Sequence, residues 1–131
     1  MPEVELQRRD EVLATAERLF SQRGYQATSV RDIADALEIK AGSLYAHIET
    51  KEDLLRDILD RAADRFFDAV GPIVNSGLLT IEKLKRSIAA HVQVITDSAP
   101  AAPIYMNEWR FLSEPARSKF AARRDEYEQM F

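Results

Sequence analysis

Cysteine is absent from this 131-residue chain, which excludes a disulfide framework, a zinc–thiolate site and a cysteine nucleophile within it. Histidine occurs only twice, at His47 and His91, in different parts of the chain, so no metal centre is expected. The four glycines are scattered and form no phosphate-binding loop. Neither a nucleophile–base–orienter set nor a carboxylate pair on a recognisable frame is present, and an enzyme is not expected. No apolar run approaches the roughly 18–20 residues that span a bilayer. The segment Met1–Asp10 is charged and does not read as a signal peptide. These absences together predict a cytoplasmic protein with no membrane partner and no resident cofactor.

Basic charge is also scarce where a nucleic-acid binder would want it. The chain carries a net charge of −4. Residues 1–54 hold seven Lys and Arg against eleven Asp and Glu, whereas residues 55–131 are balanced at eleven each. A long-range attractive field for DNA is therefore missing. Affinity must come from a local basic rim, helix N-termini and the doubled contacts of a dimer.

What the chain has is helical periodicity almost throughout, without strand alternation. Between Gln7 and Arg23, the residues Val12, Ala16, Leu19 and Phe20 share a face that Leu13 widens. Gly24 is placed to end that helix in a left-handed conformation, and Tyr25 packs the corner. Thr28 or Ser29 caps a second helix whose buried side is Ile33, Ala34 and Leu37, with Asp32 suited to its first turn. A turn at Glu38-Ile39 leads to a short helix from about Lys40 to His47. Thr50, with Glu52 and Asp53 behind it, opens a longer helix. Its stripe is Leu54, Leu55, Ile58, Leu59, Ala62 and Phe66, and Gly71-Pro72 should stop it near Val70. A fifth helix brings Ile81, Leu84, Ile88, His91, Val92 and Ile95 into register. After the proline-bearing break Asp97–Pro103, Ile104 to Leu112 and Pro115 to Phe131 read as the last two helices. The expected fold is all-α, with a three-helix helix-turn-helix head in residues 1–49 and a helical effector domain in residues 50–131.

The short helix after the turn has the composition of a groove reader. Ala41 and Gly42 permit close approach, Lys40 and Ser43 hydrogen-bond bases or phosphates, and Tyr45 and His47 offer polar groups on rigid rings. Leu44 and Ile48 face inward. Thr28, Ser29 and Arg31 direct backbone N–H groups and a cation at a phosphate, and Lys51 clamps another. Taken singly, each of these has a plain structural alternative as a cap or a solvated charge. Their ordered spacing within 28 residues is what points to DNA.

The combination Leu19-Phe20 … Gly24-Tyr25 with Thr28, Val30-Arg-Asp-Ile-Ala34, Gly42-Ser-Leu-Tyr45 with His47, and Thr50-Lys-Glu-Asp-Leu54 resembles the TetR (tetracycline-repressor) family over roughly residues 8–59. The resemblance implies that residues matching Thr28, Arg31, Lys40–Ser43, Tyr45, His47 and Lys51 contact DNA. It also implies a homodimer on a palindromic operator, released when a small molecule enters the second domain. Four positions depart from the family pattern: Glu38 stands where glycine is usual, the basic residue near Gly42 has moved to Lys40 with Ala at 41, Ala46 replaces a His or aromatic, and Ile48 replaces Phe. The family's members run longer, with two further helices that form the dimer interface. This sequence does not contain those helices, and its amphipathic pattern is still running at Tyr127–Phe131, which leaves two expectations open: a fragment of a longer chain, or a dimer formed differently.

In the second domain, Phe66, Phe67, Val70, Ile88, His91, Met106, Trp109 and Tyr127 are candidate cavity walls, with Arg110 and Arg123 at the mouth. For each, plain core or solvated surface is the alternative. The segment Asn107–Leu112, followed by Arg117, Lys119, Arg123 and Arg124, is similar to family regulators of lipid, sterol and aromatic-acid degradation, several of which respond to acyl-CoA thioesters. That similarity implies an apolar tunnel with arginines gripping phosphates. The competing expectation is an effector-free helical module that organises DNA or binds a protein, with a filled core behind the head.

Overall fold

The computed structural model describes residues 2–131, with side chains from Gln7 onward. Met1 and the side chains before Gln7, where the expected head and its charged opening segment begin, lie outside that description. Among the described residues, seven α-helices run in chain order: α1 Pro2–Arg23, α2 Val30–Ala36, α3 Ala41–Leu44, α4 Lys51–Val74, α5 Thr80–Asp97, α6 Ala101–Pro103 and α7 Ala116–Glu128. The same residues contain no strand, and the all-α expectation holds.

Local chemistry explains the head. Helix α1 buries Val12, Leu13, Ala16, Leu19 and Phe20, the 3–4 spacing that gives one packed stripe. Gly24 ends it at φ +86°, donating its N–H to the Phe20 carbonyl at 2.8 Å. Ser29 is the cap of α2: its hydroxyl accepts from the Asp32 N–H and the Asp32 carboxylate accepts from the Ser29 N–H, a closed capping box. Thr50 and Asp53 build the same box at the start of α4.

The end of α2 carries a strained residue. Ile39 N–H donates to the Ala34 carbonyl at 3.0 Å and Glu38 N–H to that of Asp35 at 3.1 Å, a Schellman closure. It puts Glu38 at φ 58°, where a Cβ crowds the following carbonyl. The usual glycine is thus missing while the turn keeps its shape. Glu38→Gly is expected to stabilise the chain by about 1 kcal/mol, read as a higher urea midpoint at unchanged slope. An unchanged midpoint would mean that the turn holds no such strain.

Four expectations need correction. Helix α3 ends at Leu44, not His47: Ala46 and His47 donate to the carbonyls of Ser43 and Leu44, so the chain tightens into i→i−3 turns. Helix α4 continues past Gly71-Pro72 to Val74. The proline takes away only the bond to Asp68, and both residues sit on the solvent side, where water serves the free carbonyl. The segment read as one helix from Ile104 is π-wound over Ile104–Glu108 and tightens to a 3₁₀ turn over Trp109–Phe111. The last helix ends at Glu128.

The largest correction concerns α5. The aligned stripe Ile81, Leu84, Ile88, Val92 and Ile95 is 39–56% exposed, while Ser87 is buried and Ala90 and Val94 are half-buried on the side packed to the core. Small residues let α5 lie close on α4, and the large apolar ones point away. One continuous core runs from Val12 in α1 through α4 to Phe120 and Tyr127 in α7, so head and body share a hydrophobic centre.

Candidate functional site

The short helix α3 and the turn after it present a small, polar surface over an apolar base. Lys40, Gly42, Ser43 and Tyr45 are exposed, Ala41 is half-buried, and Leu44 and Ile48 are buried beneath them. A Cβ built on Gly42 meets nothing within 4 Å. The fold therefore does not require glycine there, and the missing side chain matters only to whatever approaches from outside. Ser29 and Arg31 are exposed beside this surface, the Ser29 hydroxyl being engaged in its capping box. His47 is half-buried, and its carbonyl accepts from Arg9 at 2.7 Å. Arg9 also pairs with Asp57, tying the end of the reading segment to α1 and α4.

Two residues assigned to phosphates are turned inward instead. Thr28 is 1% exposed and its hydroxyl donates to the Gly24 carbonyl at 2.9 Å. Its side chain braces the α1–α2 corner. The Lys51 ammonium donates to the carbonyls of Tyr25 (2.9 Å) and Thr28 (3.1 Å) and lies 4.0 Å from the Tyr25 ring centre. Burial pulls its pKa down. Lys51 pins the head to the first turn of α4 in this structure, a role the sequence reading did not give it beside the phosphate clamp expected of it.

That pin belongs to a larger joint. The Tyr25 ring packs edge-on against Phe20 at 5.2 Å and stacks on Phe111 at 5.7 Å. One residue along from Lys51, the Glu52 carboxylate accepts from the Ser113 N–H and, at 2.8 and 3.0 Å, from the Ser113 hydroxyl. The first turn of α4 is thus held by the head on one side and by the segment after the 3₁₀ turn on the other. Sequence reading misses Glu52, Phe111 and Ser113 as a unit, because the 61-residue separation of Glu52 and Ser113 leaves no periodic trace.

In the body, Phe66 is the centre. Its ring lies 5.1 Å from His91, 5.0 Å from Tyr105 and 5.5 Å from Tyr127. His91 Nδ1 and the Tyr127 hydroxyl are 2.7 Å apart. Burial pushes the Tyr127 phenol up to about 12 and pulls the His91 imidazole down, so at neutral pH the pair is an uncharged hydrogen bond. An open groove of about 330 Å³ lies over it, lined by Ile88, His91, Tyr127, Glu128 and Phe131. Val70 is fully buried.

The other expected cavity residues do not converge there. Met106 is 60% exposed. Trp109 packs on Phe120, with the Arg124 guanidinium over its ring. Arg110 is exposed and lies over Phe111. Arg123 pairs with Asp64 at 2.8 Å and lines a different groove, between α4 and α7, with Arg56, Asp60, Leu112 and Lys119. The non-α winding of residues 104–111 redirects Met106, Trp109 and Arg110 away from the positions a regular helix gives them. Among the described residues, no group of three or more potential metal ligands occurs, and no helix is long and apolar enough to cross a membrane.

Known proteins share this arrangement. Residues 12–58 match bacterial regulatory proteins of the tetR family, and residues 77–131 match a tetracyclin repressor-like C-terminal domain. The HTH-type transcriptional repressor KstR2 of Rhodococcus jostii is 41% identical over 105 residues, 80% of this chain and 52% of its own. KstR2 of Mycolicibacterium smegmatis is 35% identical over 118 residues, 90% of this chain and 58% of its own. The solved structure of the ketosteroid transcriptional regulator KstR2 of Mycobacterium tuberculosis superposes with a TM-score of 0.88 at 35% identity, covering 94% of this chain and 63% of that one. AibR in complex with isovaleryl coenzyme A and operator DNA gives a TM-score of 0.84 at 30% identity, covering 94% of this chain and 67% of that one. The chain spans 52–58% of the length of these two curated repressors. These relatives are transcriptional regulators, not enzymes. On the strength of both matched segments and of the shared fold, the chain belongs to the TetR family of bacterial regulatory proteins.

Proposed function

We propose that the chain acts as a ligand-responsive transcriptional repressor. It binds a palindromic operator as a homodimer and is released by a small-molecule effector of the acyl-CoA class. The observation that carries the DNA reading is the exposed set Lys40, Gly42, Ser43 and Tyr45 over a buried Leu44 and Ile48, polar and small outward on a rigid underside. The repressor names of the KstR2 relatives support it, and the AibR complex supports a coenzyme A thioester as the effector class.

In this reading α3 enters the major groove. Lys40 and Ser43 face base edges, Arg31 and Tyr45 hold phosphates, and two heads sit about 34–36 Å apart on successive turns of the duplex. An effector shifts the population by its differential affinity for a head spacing that does not fit the operator. The route runs from the aromatic cluster around Phe66, through the segment 104–113, to the Phe111–Tyr25 stack and the Glu52–Ser113 contact.

Fluorescence anisotropy with DNA from the chain's own promoter region, at several salt concentrations, tests this. Arg31→Ala is expected to weaken all operators alike and to lower the salt slope by roughly one. Lys40→Ala and Ser43→Ala should change the preference between sequences. Failure to bind any promoter fragment at low salt sinks the reading. The effector-free module is favoured by one observation, the exposed apolar stripe of α5, a type of surface that commonly seats a partner. A coenzyme A thioester that changes operator affinity decides against it.

A further inference from the structure

Helix α5 turns its large apolar residues away from its own core. Ile81, Leu84, Ile88, Val92 and Ile95 are 39–56% exposed, while Ser87, Ala90 and Val94 make the core contact. Four of the five exposed residues are β-branched, a class that forms helix less readily than the Lys, Glu or Gln usual on a solvated face. Neither helix propensity nor solvation accounts for them, and a contiguous apolar stripe of this kind marks a contact surface. The five positions follow one another at intervals of 3, 4, 4 and 3 residues, the same read from either end.

That symmetry selects the partner. A second α5 laid antiparallel about Ile88 sets Ile81 against Ile95, Leu84 against Val92 and Ile88 against its own counterpart. Every member of the stripe then meets an apolar residue. Charge points the same way. Glu82 pairs with Arg86 at 3.6 Å, which leaves Lys83 and Lys85 as the surplus in the first half of the helix. From Ser87 to its end, Asp97 is the one Lys, Arg, Asp or Glu. An antiparallel contact lays the basic half of one helix beside the acidic end of the other and opposes their dipoles, whereas a parallel contact stacks two basic halves. We propose that the α5 stripe docks against the same stripe of a second copy of this chain, as an antiparallel helix pair on a two-fold axis through Ile88. Such an isologous contact closes at two copies. The 18 residues of α5 give a seam about 27 Å long, enough for a weak dimer with a dissociation constant on the order of 10 µM. The pairing stands by itself; its place in operator binding rests on the repressor reading above. A stripe so occupied gives no support to the effector-free module.

Sedimentation equilibrium of the 131-residue chain without DNA tests this, from about tenfold below that constant to about thirtyfold above it. The mass is expected to rise from one copy to two and no further. Ile88 is half exposed in the single chain, so Ile88→Glu should fold with an unchanged urea midpoint. It sets two carboxylates face to face on the axis and should weaken pairing at least about 30-fold. Because the chain has no cysteine, single cysteines report the direction of the helices. Under mild oxidation Ile88→Cys should link to itself. Ile81→Cys should link to Ile95→Cys but not to itself, since its two copies lie about 21 Å apart in an antiparallel pair and a disulfide spans at most about 7 Å between Cα atoms. A chain that stays monomeric throughout, a dimer indifferent to Ile88→Glu, or self-linking of Ile81→Cys as fast as that of Ile88→Cys each overturns the proposal. So does a monomer that binds anilinonaphthalene sulfonate and loses it in Ile88→Glu, because the stripe then belongs to a different occupant. A dimer that binds no promoter fragment supports the pairing and sinks the repressor reading instead.

Discussion

Phe66→Ala is expected to cost about 3–5 kcal/mol of stability, the largest loss of any single truncation in the body. Phe66 projects from α4 and is 5% exposed. Its three aromatic neighbours come from three different elements: His91 from α5, Tyr105 from the π-wound segment and Tyr127 from α7. Truncation removes the transfer free energy of the ring and also leaves a void that only a concerted shift of three elements can close. Each lost aromatic pair adds a further contribution of about 0.5–1.5 kcal/mol. Phe66→Leu, which fills most of the volume, should cost less than half as much. Urea unfolding measures both variants. A second readout is independent of stability: burial is what holds His91 below its ordinary pKa. Water admitted by the truncated side chain should move that pKa back toward the ordinary value of about 6.5, visible in the imidazole proton shifts. An alanine variant that loses less than about 1.5 kcal/mol and leaves His91 unmoved would show that the elements do not meet through Phe66.

The parts of this molecule that could be read in the sequence are those governed by neighbours in sequence. The capping boxes at Ser29 and Thr50, the left-handed Gly24 and the α1 and α4 stripes are each set within a few residues, and the structure shows them. The α5 stripe was visible too, but periodicity reports a stripe without saying what it faces. Ser87, Ala90 and Val94 form an equally regular row, and only the partner helix decides between the two rows. The winding of residues 104–111 was hidden because a π turn moves side chains without changing the composition that predicts a helix. At the DNA face, exposure separates residues that look alike in sequence. Ser43 and Thr28 are both hydroxyls at plausible spacing, yet one is exposed and the other is 1% exposed beneath the α1–α2 corner.

Lys51 draws the same distinction in a form that experiment can decide. If its ammonium held a phosphate, Lys51→Ala would lower the salt slope of operator binding by about one, as expected for Arg31→Ala. The geometry predicts otherwise. Lys51 donates to the carbonyls of Tyr25 and Thr28 and rests over the Tyr25 ring. Charge-assisted hydrogen bonds contribute about 1.5–3 kcal/mol each when buried and an exposed cation–π contact about 0.5–1. The side chain is only half-buried, so solvent keeps the total below the sum of these contributions, and about 2–3 kcal/mol is expected for the alanine variant. Operator affinity should fall by at most about 30- to 150-fold, the full energy expressed as binding, because the head is held less firmly at its angle to α4. The salt slope should stay that of the wild type, since no phosphate contact is lost. Lys51→Arg should restore little, because a planar fork does not reproduce a point donor placed between two carbonyls and a ring. A reduced slope with unchanged unfolding free energy would return Lys51 to the DNA. A wild-type slope with reduced stability makes it the pin through which the body sets the position of the head. In that case Glu52→Gln, one residue along and held by Ser113, should change how strongly an effector weakens operator binding while leaving effector-free affinity nearly unaltered.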